Sequence, residues 1–186
     1  MKFKTKLLTI VSAGLLLFTQ IAASEEGQGH NKFGGAWVGR ASLGNTVLGS
    51  WTAVHIPLNS QGSNAAVRLT LTSYGADLAA LAATFGADSW SDFVGHQEMI
   101  SRDTARCRSV GYAHATGPFN APQIRAIAIV TCTLRFIDAD HAVWQTTLAV
   151  YPAAADADGD GLPDAGANPV VTLPNIIETG RRVPMQ

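Results

Sequence analysis

Four aspartates lie close together in the C-terminal part of the chain, and their spacing suits a hard metal cation. Asp156, Asp158 and Asp160 alternate along the chain, Leu162 follows, and Asp164 completes the run. Calcium takes about six to eight oxygen ligands, and alternate residues of a tightly wound loop direct their carboxylates towards one centre. The backbone carbonyl of Leu162 is expected to add another oxygen. Carboxylates this close repel one another unless a cation lies among them, so residues 156–164 predict a calcium loop.

The run resembles the calcium loops of EF-hands, dockerins and thrombospondin type 3 repeats, with Gly161 at the sharp turn. It departs from an EF-hand because Ala167 stands where a bidentate glutamate is expected, and because Pro163 begins no exiting helix. The resemblance therefore implies a structural calcium ion rather than a regulatory switch. Glu178 or Asp138 is a candidate for a missing ligand. The alternative is a solvated acidic turn that binds no ion.

Other chemistries have no recognisable signature in the sequence. The histidines on the expected strands and turns lack the short spacings typical of zinc sites: His55, His96, His114 and His141. We therefore expect them on the surface. The sequence also lacks a nucleophile elbow, a cysteine-nucleophile pattern and a phosphate-binding loop. Enzymatic activity remains a hypothesis for which no catalytic residue is assigned.

The centre of the expected fold is a series of four segments rich in β-branched and aromatic residues, 93–101, 105–115, 125–136 and 142–151. Turn-forming residues separate these segments. A symmetric second turn puts Cys107 opposite Cys132, which predicts a disulfide in an exported protein. The same reasoning for the other turns puts Met99 opposite Cys107 and Phe136 opposite Trp144.

Alternation with a period of two divides each of these strands into an apolar face and a polar face. We expect the apolar face, together with Trp37 on an earlier strand, to line either a ligand cavity or a packed core. The predicted interior residues are Trp37, Phe93, Met99, Val130, Leu134, Phe136, Trp144 and Leu148.

The remaining segments predict further strands and one helix. Segments 34–40, 51–58 and 65–74 read as strands, and at least one more is expected between residues 170 and 183. Segment 77–86 has Ala and Leu at helical spacing, with Asp77 as the expected N-cap. This helix either closes one end of a barrel or covers an apolar corner on the outside of the sheet, formed by Val94, Val110, Tyr112, Ile127 and Ile129. The expected fold is therefore an all-β antiparallel meander of about eight strands, either a barrel or a sandwich.

The N-terminal residues are expected to direct export. Residues 1–24 combine three lysines, an apolar run and small residues, which is typical of a secretory signal peptide rather than a membrane span. Residues 25–33 read as a flexible leader, and residues 34–186 as a single β domain that is secreted or periplasmic. The chain has 13 basic and 14 acidic residues, and three of the lysines lie in the signal segment. This balance argues against a nucleic acid or an anionic membrane surface as partner.

The first strand begins with Gly35-Ala36-Trp37, which resembles the G-x-W motif of lipocalins, members of the calycin group. That resemblance implies an eight-stranded barrel that binds a small hydrophobic molecule. It also implies that an arginine near the end of the chain, Arg181 or Arg182, packs on Trp37. The C-terminal helix of that family and its T-D-x-Y-type motif are missing from this sequence.

Three functions remain open on the sequence alone. The first is an exported barrel that binds a small apolar ligand and is stabilised by calcium. The second is a calcium-stabilised structural or adhesive domain without a ligand pocket. The third is a barrel enzyme of unknown reaction. The first requires an interior cavity, whereas a solid interior would favour the second.

Overall fold

The structure, a computed structural model, describes residues 34–60, 62–117 and 122–184. The expected signal peptide, residues 1–24, and the leader, residues 25–33, lie outside the described residues. Within the described part of the chain, no helix combines the length and the apolar character that crossing a bilayer requires.

The described residues form a closed antiparallel barrel of eight long strands, which confirms the predicted all-β fold and selects the barrel over the sandwich. Each long strand pairs with the next long strand along the chain, and the first, Gly35–Leu43, also pairs with the last, Val171–Arg182, which closes the barrel. The long strands are β1 (Gly35–Leu43), β2 (Thr46–Pro57), β3 (Asn64–Tyr74), β5 (Phe93–Met99), β6 (Thr104–Thr116), β7 (Pro122–Phe136), β8 (His141–Pro152) and β9 (Val171–Arg182). A short strand, β4 (Ser89–Trp90), pairs with β6.

The predicted cysteine pair is formed on neighbouring strands. Cys107 lies opposite Cys132 in the ladder between β6 and β7, and the two residues form a disulfide. The predicted registers of the two neighbouring hairpins were wrong by two residues. Cys107 faces Gln97 rather than Met99, and Trp144 faces Leu134 rather than Phe136. A two-residue shift leaves every side chain on the same face of the sheet, so alternation alone could not detect it.

The turn between β7 and β8 shows why that register was wrong. The Asp138 carboxylate accepts hydrogen bonds from the backbone N–H groups of Asp140 and His141, both at 2.8 Å. The backbone N–H of Ile137 also donates to the carbonyl of His141 at 2.9 Å. These bonds make an Asx-type turn. The centre of the hairpin therefore lies one residue earlier in the chain than the symmetric turn predicted from the sequence.

One end of the barrel interior is filled by aromatic rings. The Trp37 ring lies 6.0 Å from the ring centroids of both Phe136 and Trp144, and Trp144 lies 5.1 Å from Trp51 in an edge-on arrangement. The paired glycines Gly39 and Gly180 make room for this stack. A Cβ atom at Gly39 would approach Trp51 to 2.3 Å, and one at Gly180 would approach it to 2.8 Å.

The predicted interior residues lie at two levels of burial. Six of them are buried in the core: Trp37, Phe93, Leu134, Phe136, Trp144 and Leu148. The other two, Met99 and Val130, are partly buried and pack against that core.

The single helix of the described residues, α1 (Ala76–Thr84), closes one end of the barrel. Leu78, Leu81 and Ala82 of this helix are buried in the barrel core, and the Trp90 indole N–H donates to the Leu78 carbonyl at 3.2 Å. Of the two predicted roles, the helix therefore has that of an end cap. The predicted N-cap was wrong, because Gly75 rather than Asp77 precedes the first turn.

The apolar corner on the outside of β6 and β7 meets the acidic loop instead of the helix. A 3₁₀ turn, Ala153–Ala155, begins this connection, and the Tyr112 hydroxyl donates to the Gly161 carbonyl at 3.0 Å. Ile127 and Ile129, on the outward face of β7, are buried. The acidic loop is thus anchored to the barrel wall.

Candidate functional site

The barrel interior contains polar side chains that sequence reasoning did not place there. Glu178 follows the alternation of β9, in which Ile176 and Glu178 point inward and the residues beside them are exposed. On the neighbouring strands Glu178 pairs with Ala41 of β1 and Trp144 of β8. The ladder therefore puts a carboxyl group inside the barrel, where only 8% of the residue is exposed.

Glu178 lines an interior cavity of about 70 Å³ beneath α1. Most of the wall is apolar and comes from nearly every element of the barrel: Ala41, Leu48, Trp51, Leu69, Leu71, Leu78, Trp90, Phe93, Val130, Leu148 and Ile176. The polar contributors are Ser109, Thr146 and Glu178. An apolar lining with a few convergent polar groups is the usual composition of a ligand site, although the volume here is well below the roughly 300–1,000 Å³ of typical sites.

Burial raises the pKa of the Glu178 carboxyl from 4.5 to about 7, because the charged form loses its hydration inside the barrel. The Thr146 hydroxyl and the Trp51 indole N–H lie close enough to oppose this rise in pKa. These two buried donors lie beside the carboxyl and have no other partner among the described residues. The cavity therefore contains a carboxyl with two donors beside it and no countercharge, which is costly for the ionised form.

The opposite end of the interior is closed by Arg182, Trp37 and His55. The Arg182 guanidinium lies 5.0 Å from the centroid of the Trp37 ring, and its Nη1 donates to the Gly34 carbonyl at 2.6 Å. Arg182 is thus the arginine that packs on Trp37. The imidazole of His55 stacks on Trp37, with 6.1 Å between the ring centroids. Burial, with a smaller contribution from the Arg182 charge, lowers the pKa of His55 to about 4.

The acidic loop brings three of its four aspartates together. Asp156, Asp158 and Asp164 each offer a carboxylate oxygen, and these oxygens all lie within 4.8 Å of one another. Asp156 accepts a hydrogen bond from the Gly161 N–H at 3.0 Å through Oδ2, whereas its Oδ1 is buried without a partner. An oxygen in that position is available to a cation at the centre of the group.

Asp160 is not part of this group of carboxylates, and its carboxylate accepts a hydrogen bond from the Leu162 N–H at 2.8 Å. The backbone carbonyl of Leu162 stays a predicted ligand. Neither further ligand candidate is near the loop, because Glu178 lies inside the barrel and Asp138 caps the turn between β7 and β8.

Alternation was the signal that could have located the interior polar residues. His55 follows the inward positions Trp51 and Ala53 on β2, and Glu178 follows Ile176 on β9. The expectation that the histidines lie on the surface was therefore wrong for His55, which is 3% exposed.

Comparison of the chain with protein-family models, with curated proteins and with solved structures finds no match.

Proposed function

We propose that this protein is an exported β-barrel that binds a small, mostly apolar molecule in the cavity beneath α1. The observation that carries the proposal is the cavity itself, an apolar space at one end of the barrel with a buried carboxyl in its wall. The other end is filled by Trp37, Phe136 and Trp144. A barrel built only for stability gains nothing from an isolated carboxyl in its core, because that group costs free energy.

The resemblance of the barrel to lipocalins supports this proposal. The barrel has eight strands, Gly35-Ala36-Trp37 lies at the start of β1, and Arg182 of the last strand packs on the Trp37 ring. Export is supported by the signal-like residues 1–24 and by the disulfide between Cys107 and Cys132.

The cavity limits the size of the bound molecule. Its volume of about 70 Å³ is well below the roughly 150 Å³ of an engineered cavity that admits benzene. The cavity therefore has room for a molecule of only a few non-hydrogen atoms.

Titration with propan-1-ol, observed through the indole N–H resonance of Trp51 by NMR, tests the proposal. We expect saturable shifts in the native protein and weaker binding in Ala41→Val, which adds two methyl groups to the cavity wall. Val54→Leu is the matched control, because Val54 lies on the outer surface of β2 and is 49% exposed. Absence of saturable shifts in the native protein would leave a structural domain as the function.

We further propose that a structural calcium ion is bound by the acidic loop. Support comes from the clustered oxygens of Asp156, Asp158 and Asp164 and from the unpartnered Oδ1 of Asp156. The loop contacts the barrel through Tyr112, so an ion that holds the loop also protects the outer wall around Ile127.

Calcium is therefore expected to raise the melting temperature by several degrees. Free calcium at about a hundred times its dissociation constant stabilises the folded state by about 2.7 kcal/mol. Asp156→Asn is expected to abolish the shift while keeping an oxygen for the Gly161 N–H. Glu98→Gln, which removes one exposed charge elsewhere on the barrel, is the control and keeps the shift. Equal melting temperatures in calcium and in chelator would contradict the proposed ion.

A further inference from the structure

We infer that the molecule bound in the barrel is a small primary amine whose ammonium group pairs with the Glu178 carboxylate. This inference rests on the proposed ligand-binding function and names the chemical class of the ligand. It depends on three features of the cavity, which are the absence of a countercharge for the carboxyl, the two donors beside it and the aromatic wall.

The carboxyl of Glu178 has no partner of opposite charge in the cavity wall. Strands β1–β9 and helix α1 all contribute to this wall, and among these lining residues Glu178 alone is ionisable. Arg182, whose charge acts on His55, does not line this cavity and lies beside Trp37 at the filled end of the barrel. A ligand that carries a positive charge therefore supplies what the barrel lacks, whereas a carboxylate or phosphate ligand would be repelled.

The surrounding donors and rings suit an ion pair at this position. A buried ion pair is favourable only when further hydrogen bonds satisfy its remaining oxygen lone pairs. The indole N–H of Trp51 and the hydroxyl of Thr146 are buried beside the carboxyl and favour its ionised form. The rings of Trp90 and Phe93 also line the cavity, and aromatic rings attract cations when water is excluded.

The amine and Glu178 must both be charged in the bound state. An alkylamine, like the lysine side chain, remains protonated well above neutral pH. Glu178 must be ionised to pair with it, so any proton held by the carboxyl passes to water when the ammonium binds. Because burial raises the pKa of Glu178 to about 7, amine affinity is expected to be nearly constant from about pH 8 to 9, to be about half as strong at pH 7, and to approach a tenfold fall per unit below about pH 6.

The experiment compares n-propylamine with propan-1-ol, which have the same number of non-hydrogen atoms, by NMR titration of the Trp51 indole N–H at pH 8. The native protein is expected to bind the amine at least about tenfold more tightly than the alcohol. This factor corresponds to the lower end of the coupling energies of close charge pairs at protein interfaces. Glu178→Gln is expected to lose this preference for the amine over the alcohol.

The outcomes separate the two levels of the proposal. Equal or tighter binding of the alcohol by the native protein would overturn amine recognition and leave the ligand-binding function intact. Failure of both probes to bind would overturn both. The pH dependence in the native protein tests the inference without any variant. Amine affinity should fall from pH 8 to pH 5 while alcohol affinity stays constant or rises, and a flat amine profile would overturn the inference.

Discussion

At pH 8, Glu178→Gln is expected to increase the free energy of unfolding by about 3 kcal/mol more than the same substitution does at pH 4. A carboxyl pKa that moves from 4.5 in the unfolded chain to about 7 in the barrel corresponds to that difference. The folded state binds the proton more tightly, so this group stabilises the fold below pH 4.5, and that stabilisation is lost as pH rises through 7. Glutamine resembles the protonated acid and carries no such penalty.

His55 has the opposite pH dependence and must be considered with Glu178. Its pKa falls from 6.5 to about 4 on folding, so it stabilises the fold above pH 6.5, and this stabilisation is lost as pH falls towards 4. The two contributions oppose each other between about pH 4.5 and 6.5, and we expect a nearly flat profile for the native protein there. Glu178→Gln should uncover a stability that rises with pH.

Urea unfolding at a series of pH values measures both effects. The difference between native protein and Glu178→Gln isolates the carboxyl, because the His55 contribution is common to both. A difference that does not change between pH 4 and pH 8 would show that the carboxyl is hydrated in the folded state.

The second large effect is expected for Trp144→Ala, which should lower the free energy of unfolding by about 3–5 kcal/mol. Trp144 packs edge-on against both Trp37 and Trp51, at 6.0 and 5.1 Å between ring centroids. Neighbouring side chains cannot collapse into the space because the strands that frame it are held in a closed barrel. Truncation therefore removes transfer free energy and leaves a cavity at the filled end.

Chemical denaturation provides the measurement for Trp144→Ala. Ile137→Ala is the control, because Ile137 lies in the turn between β7 and β8 and is 60% exposed; its effect should stay within about 0.5 kcal/mol. A loss below about 1.5 kcal/mol for Trp144→Ala would contradict the tight packing of the aromatic stack.

Much of the fold could be predicted from the sequence because alternation reports which face of a strand is apolar. Leu134, Phe136 and Trp144 follow that pattern, and Cys107 and Cys132 face each other as expected. The registers of the flanking hairpins could not be predicted in the same way. Their two-residue shifts arise from local hydrogen bonds, such as those of the Asp138 carboxylate, which hydrophobic patterning does not encode.

The candidate site was harder to predict than the fold. Spacing alone indicated the acidic loop, but the separate hydrogen bond of Asp160 depends on how the loop winds. Glu178 was considered only as a metal ligand, because a carboxylate is usually expected in water. Its interior position follows from the alternation of β9, and the cavity around it depends on α1 closing that end of the barrel.

The most direct test of the account is a ¹³C NMR titration of the Glu178 side-chain carboxyl in the ligand-free protein. A carboxyl enclosed with apolar side chains and no countercharge should titrate with a pKa of about 7, and occupation of the cavity by n-propylamine should lower that pKa. Titration near 4.5, unaffected by the amine, would contradict an enclosed carboxyl site in this barrel.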